Sequence, residues 1–150
     1  MGTLAGNAYR FQVGMGERVV LAVDPGEVRI GLAVSDPTGT IARPLQVIDH
    51  ISRLQNAATI AEVASARGAN LILIGLPLDD EGEIGHQARR SLRLVDELRK
   101  ATRVAVETWD ESGSTQMAGK KDDMVDARAA AYILQDYLDT QAGSLGDQPK

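Results

Sequence analysis

The stretch "NLILIGLPL", residues 70–78, is apolar at nearly every position. A strand with one wet face alternates apolar and polar residues; a run without a polar phase needs cover on both faces, as strands of a parallel sheet have. The chain must therefore supply apolar helices for two sides of a sheet. At 150 residues and 16.0 kDa it has material for one such core and not for two.

Earlier in the chain, "RVVLAVD" and "RIGLAVSD" are short β-rich runs separated by Pro25-Gly26, and "TIARPLQVI" follows the turn Asp36-Pro37-Thr38-Gly39. Three strands joined by short turns predict an antiparallel meander. The period then changes. Leu54, Ala57, Ala58, Ala61, Val63 and Ala64 fall mostly on one helical face, and Gly68 is a usual carboxyl-terminal cap. A second helix is predicted from about His86 to Lys100 with Ala88, Leu92, Val95 and Leu98 inward, and "RVAVETW" is a fifth strand. "DDMVDARAAAYILQDYLDTQ" is a final helix ending near Gly143. The expected fold is α/β, a five-stranded mixed sheet (a β1-β2-β3 meander, then α-β-α-β-α) flanked by helices. Residues 1–17 read as a flexible extension with a second Met at position 15, residues 18–141 as the domain, and 142–150 as a disordered tail.

The chain has no Cys and two His, so a thiolate or typical zinc site is excluded and any metal must sit among carboxylates, which suits Mg²⁺ or Mn²⁺. No apolar run approaches a membrane span and no signal-peptide core is visible, so a cytoplasmic protein without membrane contact is expected. A net charge of −5 argues against a general nucleic-acid coating protein, and 3% aromatic content leaves little for base stacking. A nucleic acid would be held by its backbone.

Asp24 closes the first strand, and a carboxylate there must be paired, metal-bound or solvated. Asp110 and Glu111 follow the fifth strand. Asp126 lies in phase with Ala130, Ile133 and Tyr137 on the inward stripe of the last helix. These acids converge if the first strand is near the centre of the sheet, and clustered carboxylates call for divalent cations, which can activate water for phosphodiester cleavage. Each also has a plainer explanation: Asp24-Pro25-Gly26 as a turn, Asp110-Glu111 as a solvated corner, Asp126 as a helix-start carboxylate.

Together, "LAVDPGEVRIGLAVSDPTGTIARPL", "LILIGLPLDDEGEIGHQAR", "WDESGST" and "VDARAAAYILQDYLD" resemble successive motifs of the YqgF/RuvX family, known as Holliday-junction resolvases and as nucleases maturing the 5′ end of 16S ribosomal RNA precursor. The resemblance covers about Arg18 to Gln141 and implies an RNase H-like fold. By motif position it implies that Asp24, Glu111 and Asp126 are catalytic and metal-binding, with Asp110 in support. The chain departs from the family pattern where Ser112-Gly113 stand in place of Arg-Leu after the Asp-Glu pair, so that the basic residue is missing, where Asp79 replaces Asn beside the implied site, and where the usual long helix and basic loop are cut to "QMAGKKDDMV".

Lys120 and Lys121 are candidate phosphate contacts, as are Arg89, Arg90 and Arg93 on the second helix, although Asp96 and Glu97 also fit a solvated face there. His50 and His86 read as surface residues and Trp109 as packing. The function expected is a metal-dependent endonuclease acting on rRNA precursor or branched DNA, with a homodimer expected for symmetric two-strand cutting. The alternative is a catalytically weakened nucleic-acid or ribosome-associated module of the same fold. A phosphotransferase of the sugar-kinase and actin group would need a second domain.

Overall fold

The computed structural model describes residues 18–78, 81, 84–111 and 123–146. Residues 1–17, Asp79, Ser112, Gly113, Lys120, Lys121 and the last four residues of the tail lie outside the described residues. The elements run β1 (Val20–Asp24), β2 (Arg29–Ser35), β3 (Ala42–Asp49), α1 (Arg53–Arg67), β4 (Leu71–Leu76), α2 (His86–Ala101), β5 (Ala105–Asp110) and α3 (Val125–Gly146). They form one five-stranded sheet in the order β3-β2-β1-β4-β5. β1–β2 and β2–β3 are antiparallel, whereas β1–β4 and β4–β5 are parallel. The mixed sheet expected from the sequence is the sheet observed, with β1 at its centre.

Alternation along the strands sends side chains into two cores. Leu21, Val23, Leu32, Ile72 and Ile74 pack with Ile60 of α1 and Leu98 of α2 on one face. Val20, Ala22, Ala33 and Leu73 pack with Ala130, Ile133 and Leu134 of α3 on the other. Burial on both faces is why β4 has no polar phase. β3, at the sheet edge, takes Pro44 at no cost to a central ladder and carries a bulge opposite Leu32/Ala33.

α1 starts at Ser52, whose hydroxyl accepts from the Gln55 N–H, and stops at Gly68 in the left-handed conformation, φ 67°. The buried stripe of α1 is Asn56, Ala57, Ile60 and Ala64. Leu54, in phase with it, lies in the first turn and is exposed, so its inward assignment is corrected. On α2, Ser91 and Leu94 join Ala88, Val95 and Leu98 inside, while Leu92 is only half-buried. α3 continues to Gly146, past the end expected near Gly143, since that glycine does not break it. Among the described residues no helix is long and apolar enough to cross a membrane.

Candidate functional site

Strand phase positions the first acid. Val20 and Ala22 face α3, so the next residue in that phase, Asp24, leaves the end of the strand on the α3 side. On β5 the same face carries Trp109, which packs with the α3 core, and two residues later comes Glu111. The Glu111 N–H donates to the Leu76 carbonyl (3.0 Å), which holds it beside the end of β4.

Gly75 makes room between these two acids. A Cβ there would lie 3.3 Å from Glu111 Oε1, 3.6 Å from the Val23 carbonyl oxygen and 2.9 Å from Ile133 Cδ1. The Gly75-Leu76-Pro77 corner thus lies against the acidic edge. Gly31, paired with Asp24 across β1–β2, performs the same office for α3: a Cβ on Gly31 would overlap the Asp126 carbonyl and sit 2.8 Å from the Ala127 nitrogen. The bare backbone at Gly31 lets the start of α3 close onto the strand next to Asp24.

The electrostatics follow from that crowding. Burial, and then the charge of Asp126, pushes the Asp24 carboxyl up to about 6. Burial, and then the charge of Asp24, pushes Glu111 up to about 7. Asp126 is half-buried in the first turn of α3, and its Oδ2 accepts from Arg29 Nε at 2.9 Å. The carboxylate is thereby tied to β2 while it also stands in the first turn of α3, where the helix dipole favours it. Asp24 is therefore near enough to feel, or be felt by, each of the other two, while Arg29 holds Asp126 on its far side.

Two half-buried carboxylates pushed toward their protonated forms are short of positive charge, and an all-oxygen donor set suits a hard dication. Among the described residues, however, no three acidic or histidine side chains are grouped closely enough to hold a metal ion. The acids share an edge without forming a closed set of ligands.

Asp110, one residue out of phase with Trp109 and Glu111, is exposed. It borders, with Glu111, Asp136 and Asp139, an acidic cavity of about 450 Å³ beside α3. Trp109 is a packing residue, edge-on to Tyr137 (centroids 5.2 Å apart) with its indole N–H donating to Asp136 at 2.9 Å. Arg90 and Arg93 line a second cavity, on the α1/α2 side, whereas Arg89 is exposed and is not one of its lining residues. His50 lines that cavity too and is half-buried, a correction to its reading as a surface residue. Arg29, Gly31 and Arg53 were missed in the sequence; for Gly31 the only available signal was a glycine interrupting a β-rich run.

The model of the RuvX family, Holliday junction resolvase, matches residues 18–140. The chain belongs to this family. Among relatives, it is 33% identical to a protein of Caldanaerobacter subterraneus subsp. tengcongensis named "Putative pre-16S rRNA nuclease", over 83% of this chain and 99% of that one. It is 37% identical to a Chloroflexus aggregans protein of the same name, over 85% and 97%. Among solved structures, RuvC of Thermus thermophilus in complex with Holliday junction substrate superimposes with a TM-score of 0.52 at 16% identity, covering 84% of this chain and 96% of that chain. At that identity the likeness concerns the fold, which is the RNase H-like fold. The family and its relatives' names make this RuvX protein one of a group of nucleases, hydrolases of the phosphodiester bond.

Proposed function

We propose that the chain is a metal-dependent endonuclease that cuts structured nucleic acid, either the 5′ end of 16S rRNA precursor or a branched DNA junction, in the cytoplasm. The observation that carries this reading is the pair Asp24 and Glu111, both half-buried, electrostatically coupled and raised in pKa at the carboxyl ends of β1 and β5. Ligands of open α/β sheets bind outside the carboxyl ends of the strands, where strand order reverses about β1. Asp24, Glu111 and Asp126 would hold Mg²⁺ or Mn²⁺, which supplies Lewis-acid stabilisation of the phosphoryl oxygens and a more acidic water.

The remaining steps belong to the protein. Glu111, ionised when it helps to hold the cation, can orient the attacking water through a hydrogen bond accepted at its carboxylate. Asp24, tied to the rigid end of β1, fixes the geometry. The backbone phosphates are held by Lys120, Lys121 and the arginines of α2, Arg89, Arg90 and Arg93, and a second copy of the chain would present a second acidic edge to a two-strand substrate. The test is incubation of an rRNA-precursor fragment and of a four-way DNA junction with Mg²⁺, Mn²⁺ or chelator. Metal-dependent cutting of either supports the proposal, and its absence at saturating protein removes it.

The second reading, a binding module with weakened chemistry, is favoured by the Arg29–Asp126 pair, which occupies a carboxylate the metal would use. Tight binding without cutting in the same assay selects it.

A further inference from the structure

Beneath the β1–β2 turn lies a cavity of about 210 Å³ walled by Pro25, Gly26, His50, Arg53, Arg90 and Arg93. Among the described residues no acidic side chain lines it. In a chain of net charge −5, three guanidinium groups around so small a space are a local reversal of sign. Only Arg90 has an acidic partner, Glu27 at 3.2 Å; among the described residues Arg53 and Arg93 have no ion pair. Like charges brought together in this way repel unless an anion lies between them.

Asn56 adds a polar group. It is 4% exposed and lines the cavity. Its Oδ1 accepts from the Ile51 N–H at 3.0 Å, which fixes the amide orientation and sets a polar side chain in the wall beside the arginines. Arg53 is also the first residue of α1, where the positive end of the helix dipole adds to the side chains.

The place matters as much as the charge. Pro25 and Gly26 directly follow Asp24, and Ile30 at the cavity wall belongs to the core on the α1/α2 side, opposite the α3 side on which Asp24 emerges. One short turn therefore separates the acidic edge from the basic cavity. We infer that this cavity is a phosphate-binding subsite, which takes a backbone phosphate of the strand whose neighbouring segment is presented to Asp24. The assignment of the phosphate to a nucleic-acid strand rests on the proposed nuclease reading; the chemistry of the pocket, guanidinium groups around a tetrahedral anion, serves a free phosphate equally well.

The experiment uses the full chain with Arg53→Gln and Arg93→Gln combined, and Arg67→Gln with Arg103→Gln as a charge-matched control on exposed positions elsewhere. Inorganic phosphate is titrated while the arginine Nε–Hε signals are followed by NMR, and anisotropy measures binding of the four-way junction and of the rRNA-precursor fragment across salt. Phosphate should move the Arg53 and Arg93 signals of the parent. The pocket variant should bind nucleic acid about tenfold more weakly or worse and show a salt slope smaller by about two, while the control loses much less. Unmoved signals, together with equal losses in both variants, overturn the subsite. Nucleic-acid binding that survives the pocket variant overturns the subsite and leaves the nuclease reading intact. Phosphate binding in a parent that binds no nucleic acid upholds the subsite and overturns the nuclease reading.

Discussion

Gly31 lies directly against Asp126: a methyl group on this strand glycine would overlap the carbonyl of the helix residue that completes the acidic edge. The atom in the way is backbone, so the only relief is movement of α3. Gly31→Ala should cost about 1–3 kcal/mol by overpacking, read by urea unfolding. It should lower cleavage further than the stability loss explains, because Asp126 moves away from Asp24. A stable variant of full activity would show that the approach of α3 is not needed.

Gly75 faces a softer obstacle, the tip of Ile133 at 2.9 Å and Glu111 Oε1 at 3.3 Å from a built Cβ. Both side chains can give way. Gly75→Ala should therefore stay folded within about 1–2 kcal/mol of the parent while cleavage falls, since the displaced group is the Glu111 carboxylate. Equal activity in the two proteins would separate Glu111 from the chemistry.

Arg29 and Asp126 form an ion pair whose side chains are 53% and 30% exposed. Such a pair contributes less than about 1 kcal/mol, so Arg29→Gln should barely change the unfolding midpoint. It frees Asp126, however. Calorimetry should find tighter Mn²⁺ binding in the variant than in the parent if Asp126 is a ligand, and unchanged binding if it is not.

These predictions mark where sequence reading reached and where it stopped. The mixed sheet was legible because the apolar phase of residues 71–76 and the turns at Pro25-Gly26 and Asp36–Gly39 are local signals. The place of Asp24 at the end of β1 was legible in the same local way. Local signals do not carry the Arg29–Asp126 pair, whose members lie 97 residues apart, nor the role of Gly31, which reads like any strand glycine until α3 is laid on it. Buried Ser91 and Asn56 were illegible for a similar reason: a polar residue on an inward phase is hidden by its own residue type until its partner is seen.

The family pattern yields a prediction for residues flanking the site. Ser112 and Asp79 each make that neighbourhood less positive than the pattern they resemble, and a polyanion is held more weakly there. Ser112→Arg combined with Asp79→Asn should raise substrate affinity at low salt, with the gain shrinking as salt rises. No gain at about 50 mM salt in an anisotropy titration would clear both positions.

The last prediction concerns pH in the metal-free protein. Asp24 and Glu111 titrate in the fold near 6 and 7, against ordinary values of 3.8 and 4.5. The folded state therefore binds more protons than the unfolded chain across that interval, and stability is fully present below the unfolded values and is lost as pH rises through the folded ones. For Asp24 the loss is about 3 kcal/mol. Glu111 adds less than its own shift suggests, because solvent reaches it and because part of that shift is the charge of Asp24 itself. The unfolding midpoint should thus fall between about pH 5 and pH 8. Asp24→Asn should flatten that fall and raise the midpoint at the alkaline end, although it removes the group expected to be most needed for cleavage. Mn²⁺ should stabilise the parent more at the alkaline end, where both carboxylates are charged, and should stabilise Asp24→Asn little at any pH. A parent midpoint that does not decline with pH, or a variant that declines as steeply as the parent, would show that the two carboxylates are not held together as the fold places them.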